Sequence, residues 1–403
     1  MSAAPVIADD DRRARANVWR LAAGSALAGA NASVIFATGA ITGVQLAPSP
    51  GLATLPVSMF VVGMAAGTLP AGWIARTHGR RAAFIAGTIF GCLCGVLGAI
   101  AIWQAAFALF CLATFCGGIY AAVAQSYRFA AADGASPAFR PRAISWVMAG
   151  GVFAGFLGPN LVSLTMNAWP PYLFAASFAA QAVVALVAMA VVGSVDAPKP
   201  TALDTDGARP LAEIARQPKF LIAVLCGVVA YGLMNLVMTS APLAMKICGF
   251  GPADSNFVIQ WHVVAMYLPS FFTGGLIVRF GAMRIVALGL AIIAGAAIAG
   301  LLGISLAHFT GGLVLLGLGW NFGFIGASAL VVETHRPSER NKVQALNDFL
   351  VFGTMAIGSF SSGQLLAVFG WASVNWVVFP PVLLALAVLA GAGLRGRRNL
   401  AAG

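Results

Sequence analysis

The sequence predicts an all-α membrane protein of twelve spanning helices, built as two six-helix bundles in direct repeat. Three observations predict it. Of the 403 residues 60% are hydrophobic and only 9% charged, where a soluble globular chain carries about a quarter charged residues. The basic residues gather on one side of the expected spans. The two halves of the chain also repeat one another.

In chain order, residues 1–18 form a polar tail containing Asp9, Asp10, Asp11, Arg12, Arg13 and Arg15. It is not a secretory signal: the apolar stretch behind it has no clear small-residue cleavage site and is long enough to span. The first half, 19–193, divides into spans at 19–46, 52–75, 82–103, 105–128, 143–166 and 171–193. A hydrophilic stretch rich in Pro, Asp and Thr, 194–218, reads as a cytoplasmic linker ending in the short amphipathic turn LAEIARQPKF. The second half, 219–394, gives spans at 219–245, 254–279, 283–306, 310–333, 344–368 and 372–394, and 395–403 is a short basic tail. The other loops are brief, so no separate soluble domain is expected.

Charge placement fixes the expected orientation. With the N-terminus inside, 22 of the 23 Lys and Arg fall in the tails or at cytoplasmic helix ends and loops, and only Lys246 falls outside. That asymmetry supports an even number of spans with both termini cytoplasmic. The formal charge of +11 is thus a topology signal, and a nucleic-acid partner is excluded. The repeat is direct. A shift of 203 residues lays Gly72, Ile74 and Arg76 on Gly275, Ile277 and Arg279, and a shift of 200 lays Asp133, Pro137, Arg140 and Arg142 on Glu333, Pro337, Arg340 and Lys342. Two six-helix halves in direct repeat resemble the major facilitator superfamily, a resemblance that covers nearly the whole chain and implies a substrate site between the halves near mid-bilayer.

Two local motifs bear on gating. The loop GWIARTHGRR, Gly72 to Arg81, resembles the superfamily's signature loop, except that Arg76 stands where an acid is usual. Asp348 is the sole acid well inside an expected span, in the first turn or so of the eleventh helix, where the helix N-terminus favours negative charge. Gly72, Arg76 and Asp348 are therefore the candidate gating residues, with Arg76 and Asp348 as a charge-swapped latch. The alternatives are that Asp348 couples transport to protons or simply snorkels to the surface. On the fifth helix GVFAGFLGP, Gly151 to Pro159, resembles the Gly–Pro motif of superfamily antiporters. Its structural reading is close helix packing through Gly151, Gly155 and Gly158.

The candidate cargo site lies on the seventh and eighth helices. Met234 and Met238 are spaced i, i+4 on one, and His262 and Met266 on the other, so each pair shares a helix face, about 6 Å apart along the axis. Counting from the hairpin between them, Met238 lies seven residues before Met245 and His262 eight after Asp254. Met234 lies eleven before Met245 and Met266 twelve after Asp254. The pairs are thus matched in depth. Thioether sulfur with imidazole nitrogen suits Cu(I) far better than Mg, Ca or Mn; the competing reading is methionine as core filler. Cys226 and Cys248 flank Met238 by twelve and ten residues. Through an unbroken helix they stand about 33 Å apart, too far for a disulfide, which leaves staging of a thiophilic ion or ordinary packing. Cys92, Cys94, Cys111 and Cys116 read as core. Met59 falls opposite His262 in the repeat.

MNLVM (Met234–Met238), HVVAM (His262–Met266), Cys226 and Cys248 together resemble the CcoA-type copper importers of the superfamily. That family carries M-x-x-x-M and H-x-x-x-M on these helices with two functionally important cysteines nearby. The resemblance implies import of copper across the bacterial inner membrane for cytochrome oxidase assembly. Met234, Met238, His262 and Met266 would bind the ion, Cys248 would capture it and Cys226 release it. A cytoplasmic copper chaperone or copper-exporting ATPase is the implied acceptor. Copper is cargo on this reading, and no cofactor is expected. A sister branch lacking these metal motifs is associated with riboflavin uptake, so a carrier of riboflavin or a drug-like solute is the alternative, and the motifs weigh toward copper. No hydrolytic or redox constellation and no G-x-x-x-x-G-K-[ST] loop is present, so neither an enzyme nor an ATP-driven pump is expected.

Overall fold

The computed structural model describes residues 4–49, 52, 53, 55–197 and 209–401. Of the expected linker, 198–208 lie outside the described residues. Fifteen α-helices are described. They are α1 (Ala4–Leu46), α2 (Leu55–Thr77), α3 (Arg80–Trp103), α4 (Phe107–Gln125), α5 (Tyr127–Asp133), α6 (Arg140–Thr165), α7 (Ala175–Gly193), α8 (Leu211–Ala215), α9 (Pro218–Ile247), α10 (Pro252–Tyr267), α11 (Ser270–Phe280), α12 (Ala282–Leu302), α13 (Leu306–Val332), α14 (Arg340–Trp376) and α15 (Phe379–Ala401). Backbone groups in hydrocarbon must be satisfied within the segment, so a chain this apolar resolves into helices.

By length and composition ten described helical segments can cross a membrane, and an eleventh if α10 and α11 are one bent span. The first half of α14 is the expected span missing from that set. Its opening turns carry Asn341, Lys342, Gln344, Asn347 and Asp348, which lower its apolarity. The expected fourth span is α4 plus α5, joined at Ser126. The expected eighth span is broken. Pro269 separates α10 from α11, and the two are bent by 40°, because proline lacks the N–H that would continue the ladder.

The chain packs as two compact units, residues 1–209 with 335–356, and residues 210–334 with 357–403. In the first, α1 packs along α6, α2 along α4 and α3 along α7. Small residues permit this. A Cβ on Gly118 would overlap the Phe60 carbonyl oxygen, and one on Gly63 the Phe115 carbonyl oxygen, so α2 and α4 touch backbone to backbone. Gly158 of the Gly–Pro run is buried against Ser33 in the same way. In the second unit α13 is the central element. It packs along α12, α10 and α9, while α9 and α10 share few contacts with each other. The opening of α14 belongs to the first unit.

Candidate functional site

The six expected cargo residues all lie in the second unit. Cys226, Met234 and Met266 are buried, Met238 and Cys248 half-buried, and His262 has no exposed surface. Cys226 and Cys248 are free thiols. His262 faces α13, where its Nδ1 lies 2.7 Å from the Leu313 carbonyl oxygen. A carbonyl only accepts, so Nδ1 carries the proton and Nε2 presents a lone pair. Nε2 has no hydrogen-bond partner among the described residues. Gly317 lets α10 lie close on α13, since a Cβ there would stand 2.6 Å from the His262 carbonyl oxygen and 3.0 Å from the Met266 nitrogen. His262 and Met266 are thus brought together on the α13 side of α10. Met234 and Met238 sit on α9, across α13. The helices that carry the two motifs thus pack more extensively on α13 than on each other, and they touch directly near the hairpin, where Ser255 Oγ lies 3.8 Å from Met245 Sδ. Among the described residues, no group of three or more His, Cys, Asp or Glu converges as a metal site.

Below Met266 the chain breaks at Pro269, and Asn321 of α13 secures the break. Its Nδ2 donates to the Met266 carbonyl oxygen at 2.6 Å and to Ser270 Oγ at 2.6 Å. Its Oδ1 accepts from Thr273 Oγ1 at 2.6 Å. The next residue back is Trp320, fully buried and the centre of a ring cluster. Trp320 stacks on Phe324 (centroids 5.2 Å, 19°) and meets Tyr231 of α9 and Tyr267 of α10 edge-on at 5.4 and 5.5 Å. Its Nε1–H has no hydrogen-bond partner among the described residues. A buried N–H without a partner is uncommon and calls for a ligand or water. Sequence reasoning missed Asn321 and Trp320. The signal for them was the run WNFGF, 320–324, which sets an amide among three aromatic rings in the middle of a largely apolar helix.

The gating candidates lie in the first unit. Gly72 packs on Ala345 so closely that a Cβ would overlap it. The expected latch partner is corrected. Asp348 is held not by Arg76, which is exposed, but by Arg128, whose Nη2 lies 2.6 Å from Asp348 Oδ1. Arg128 is fully buried and Asp348 nearly so. A carboxylate taken out of water needs a cation at its own depth, and α5 supplies one where the rim residue Arg76 does not. The expected position of Asp348 in the first helical turn is also corrected. α14 begins at Arg340, so Asp348 is its ninth residue, beyond the reach of the helix N-terminus.

Asn347 Nδ2 also donates to Asp348 Oδ1, at 3.0 Å. Next to this pair Arg80 bridges Asp133 (2.7 Å) and Gln344. Thr68, Ser126, Asn341 and Asp348 help to line a cavity of about 20 Å³ there, room for one water. At the start of α14 the buried Glu339 binds Arg209 through both carboxylate oxygens, at 2.7 and 2.6 Å. The Arg209 backbone N–H adds a 3.1 Å bond, and Lys342 donates to the Arg209 carbonyl. The Arg209 guanidinium, followed by the Arg336 and Arg209 backbone N–H groups, holds the Glu339 carboxyl at about 2, below its ordinary 4.5.

Residues 21–347 match the model of the Major Facilitator Superfamily. Over 384 residues the chain is 48% identical to a protein named Riboflavin transporter RfnT from Brucella anthropi, covering 94% of this chain and 96% of that one. It is 30% identical over 358 residues to the uncharacterized MFS-type transporter YdeG of Bacillus subtilis, covering 84% and 83%. Among solved structures, the proton:xylose symporter XylE superposes with a TM-score of 0.77 at 16% identity, over 95% of this chain and 96% of that one. A bacterial homologue of the iron transporter ferroportin superposes with 0.71 at 13% identity, over 93% and 98%. At such identities these two report the fold.

Proposed function

The chain belongs to the major facilitator superfamily and is a multi-pass membrane transporter rather than an enzyme, and from that premise we propose that it carries riboflavin or a closely similar flat heteroaromatic solute into the bacterial cytoplasm. The observation that carries this is the 48% identity to RfnT, spread over nearly the full length of both chains. On this reading the protein lies in the inner membrane with both termini cytoplasmic, and its halves expose the cargo to each side in turn. The chemistry of the second unit supports it. An isoalloxazine ring is broad, apolar on its faces and rich in hydrogen-bonding atoms at its edge. Trp320, Tyr231, Phe324 and Tyr267 form a packed aromatic cluster, the environment a flat ring would join on entry, and aromatic pairing adds to simple area burial. The Trp320 N–H and the His262 Nε2 lone pair offer one donor and one acceptor.

Copper is the second reading. The M-x-x-x-M and H-x-x-x-M motifs and the bare Nε2 of His262 beside Met266 favour it, and the full-length similarity points the other way. Uptake of labelled riboflavin and of labelled copper in the same cells separates them. The proposal expects riboflavin uptake that falls by up to about tenfold in Trp320→Leu, the cost of losing roughly one ring contact, with copper uptake at background. Copper uptake that disappears in Met238→Leu and His262→Leu, with no riboflavin uptake, would replace it.

A further inference from the structure

The two units turn one corner in the same way and finish it differently. In the first, Gly79 (φ 92°, ψ 162°) joins α2 to α3, and in the second, Gly281 (φ 86°, ψ 147°) joins α11 to α12. Both φ values favour glycine. After Gly79 comes Arg80, which folds inward and pairs with Asp133. After Gly281 comes Ala282, which has no side chain to reach inward. Glu333, the repeat partner of Asp133, has Lys219 as its nearby cation.

Where Arg80 fills the first corner, the second opens as a cleft of about 550 Å³, lined among others by Arg279, Phe280, Met283, Arg284 and Glu333. Arg279 and Arg284 are exposed, and among the described residues neither forms an ion pair with an acid. Arg279 lies over the Phe280 ring at 5.1 Å. The cleft therefore has two arginines to one carboxylate, and Lys219 already offsets that carboxylate. Apolar surface adjoins it: Phe272, Val278 and Phe280 on α11 and Leu288 on α12 are 42–52% exposed.

We propose that this corner is a binding site for an anionic phospholipid. Arg279 and Arg284 hold the phosphate in the cleft, and the acyl chains lie on the exposed face of α11 and α12. Arginine suits phosphate because its planar fork donates two parallel bonds. Basic pockets between transmembrane helices at the cytoplasmic end are where anionic headgroups dock. The adjoining apolar face selects a lipid over a free anion. Lipid binding at this corner does not depend on which cargo the carrier moves.

The full-length protein in detergent, titrated with phosphatidylglycerol or phosphatidylcholine and read by native mass spectrometry, tests this. The wild type is expected to retain phosphatidylglycerol in preference to phosphatidylcholine. Arg279→Gln/Arg284→Gln should lose that preference by about tenfold, the scale of a lost charge-assisted contact. Arg12→Gln/Arg13→Gln, which removes as much charge elsewhere, should keep it. Equal retention by the two double variants overturns the site. Displacement of the lipid by millimolar inorganic phosphate would make it a free-anion site and overturn the lipid assignment. Thermal melting of each variant separates misfolding from lost binding, and Arg279→Lys/Arg284→Lys, which keeps the charge without the fork, should retain an intermediate preference.

Discussion

Arg128 and Asp348 stand 220 residues apart in the chain and meet as a buried ion pair, 2.6 Å from nitrogen to oxygen. Breaking such a pair from one side costs about 3–5 kcal/mol, because a charge is left buried without its counterpart. Asp348→Asn is therefore expected to lower the melting temperature of the purified protein steeply, and Arg76→Gln to leave it unchanged. An equal loss in both would restore Arg76 as the partner.

Glu339 and Arg209 give a pH signature. The carboxyl titrates at about 2 in the folded protein against an ordinary 4.5. Its contribution is thus complete above pH 4.5 and is lost as the pH falls from there toward 2. Melting curves across that window should flatten in Glu339→Gln relative to wild type. Unchanged pH dependence would show that other carboxylates carry it.

Gly72 tests the contact between α2 and α14. A Cβ there overlaps Ala345, and overpacking typically costs about 1–3 kcal/mol. Gly72→Ala should reduce both stability and transport, and Gly72→Ala/Ala345→Gly should recover most of the loss. Transport and melting are the readouts.

Asn321 should be the least replaceable polar residue of the second unit. Asn321→Leu removes three hydrogen bonds, to the Met266 carbonyl, Ser270 and Thr273, and strands buried groups at about 1–3 kcal/mol each. Hydrogen exchange is expected to rise at the α10–α11 break before it rises elsewhere.

Much of the fold was legible because hydrocarbon constrains a chain so strongly. Helix placement follows from apolarity, and Gly79 and Gly281 show the direct repeat again in their backbone angles. The break within the eighth span was marked by Pro269, but a hydropathy pattern averages over a single proline. Site residues were harder. Matching Met238 to His262 by depth treated the two helices as a pair, whereas α13 packs along both and more extensively than they pack on each other. The Arg76–Asp348 latch failed for a related reason: a shared membrane level says nothing of which side chain is buried, and Arg128, counted only among the 22 cations of the tails, helix ends and loops, is the buried one. The aromatic cluster around Trp320 draws on α9, α10 and α13, and spacing along one helix could not assemble it. The motifs resembled a copper carrier, while identity over the whole chain lies with a riboflavin carrier.

The distance in sequence between Arg128 and Asp348 also sets a timing problem for biogenesis. At about 5–20 residues per second, ribosomes need roughly 10–40 s to make the stretch between them. During that interval the guanidinium has already left the ribosome and its carboxylate does not yet exist. Nascent chains must shelter an orphan charge, beside the insertion machinery or by delayed seating of α5. Truncations that stop short of α14 should accordingly be degraded far faster than those that stop just beyond it.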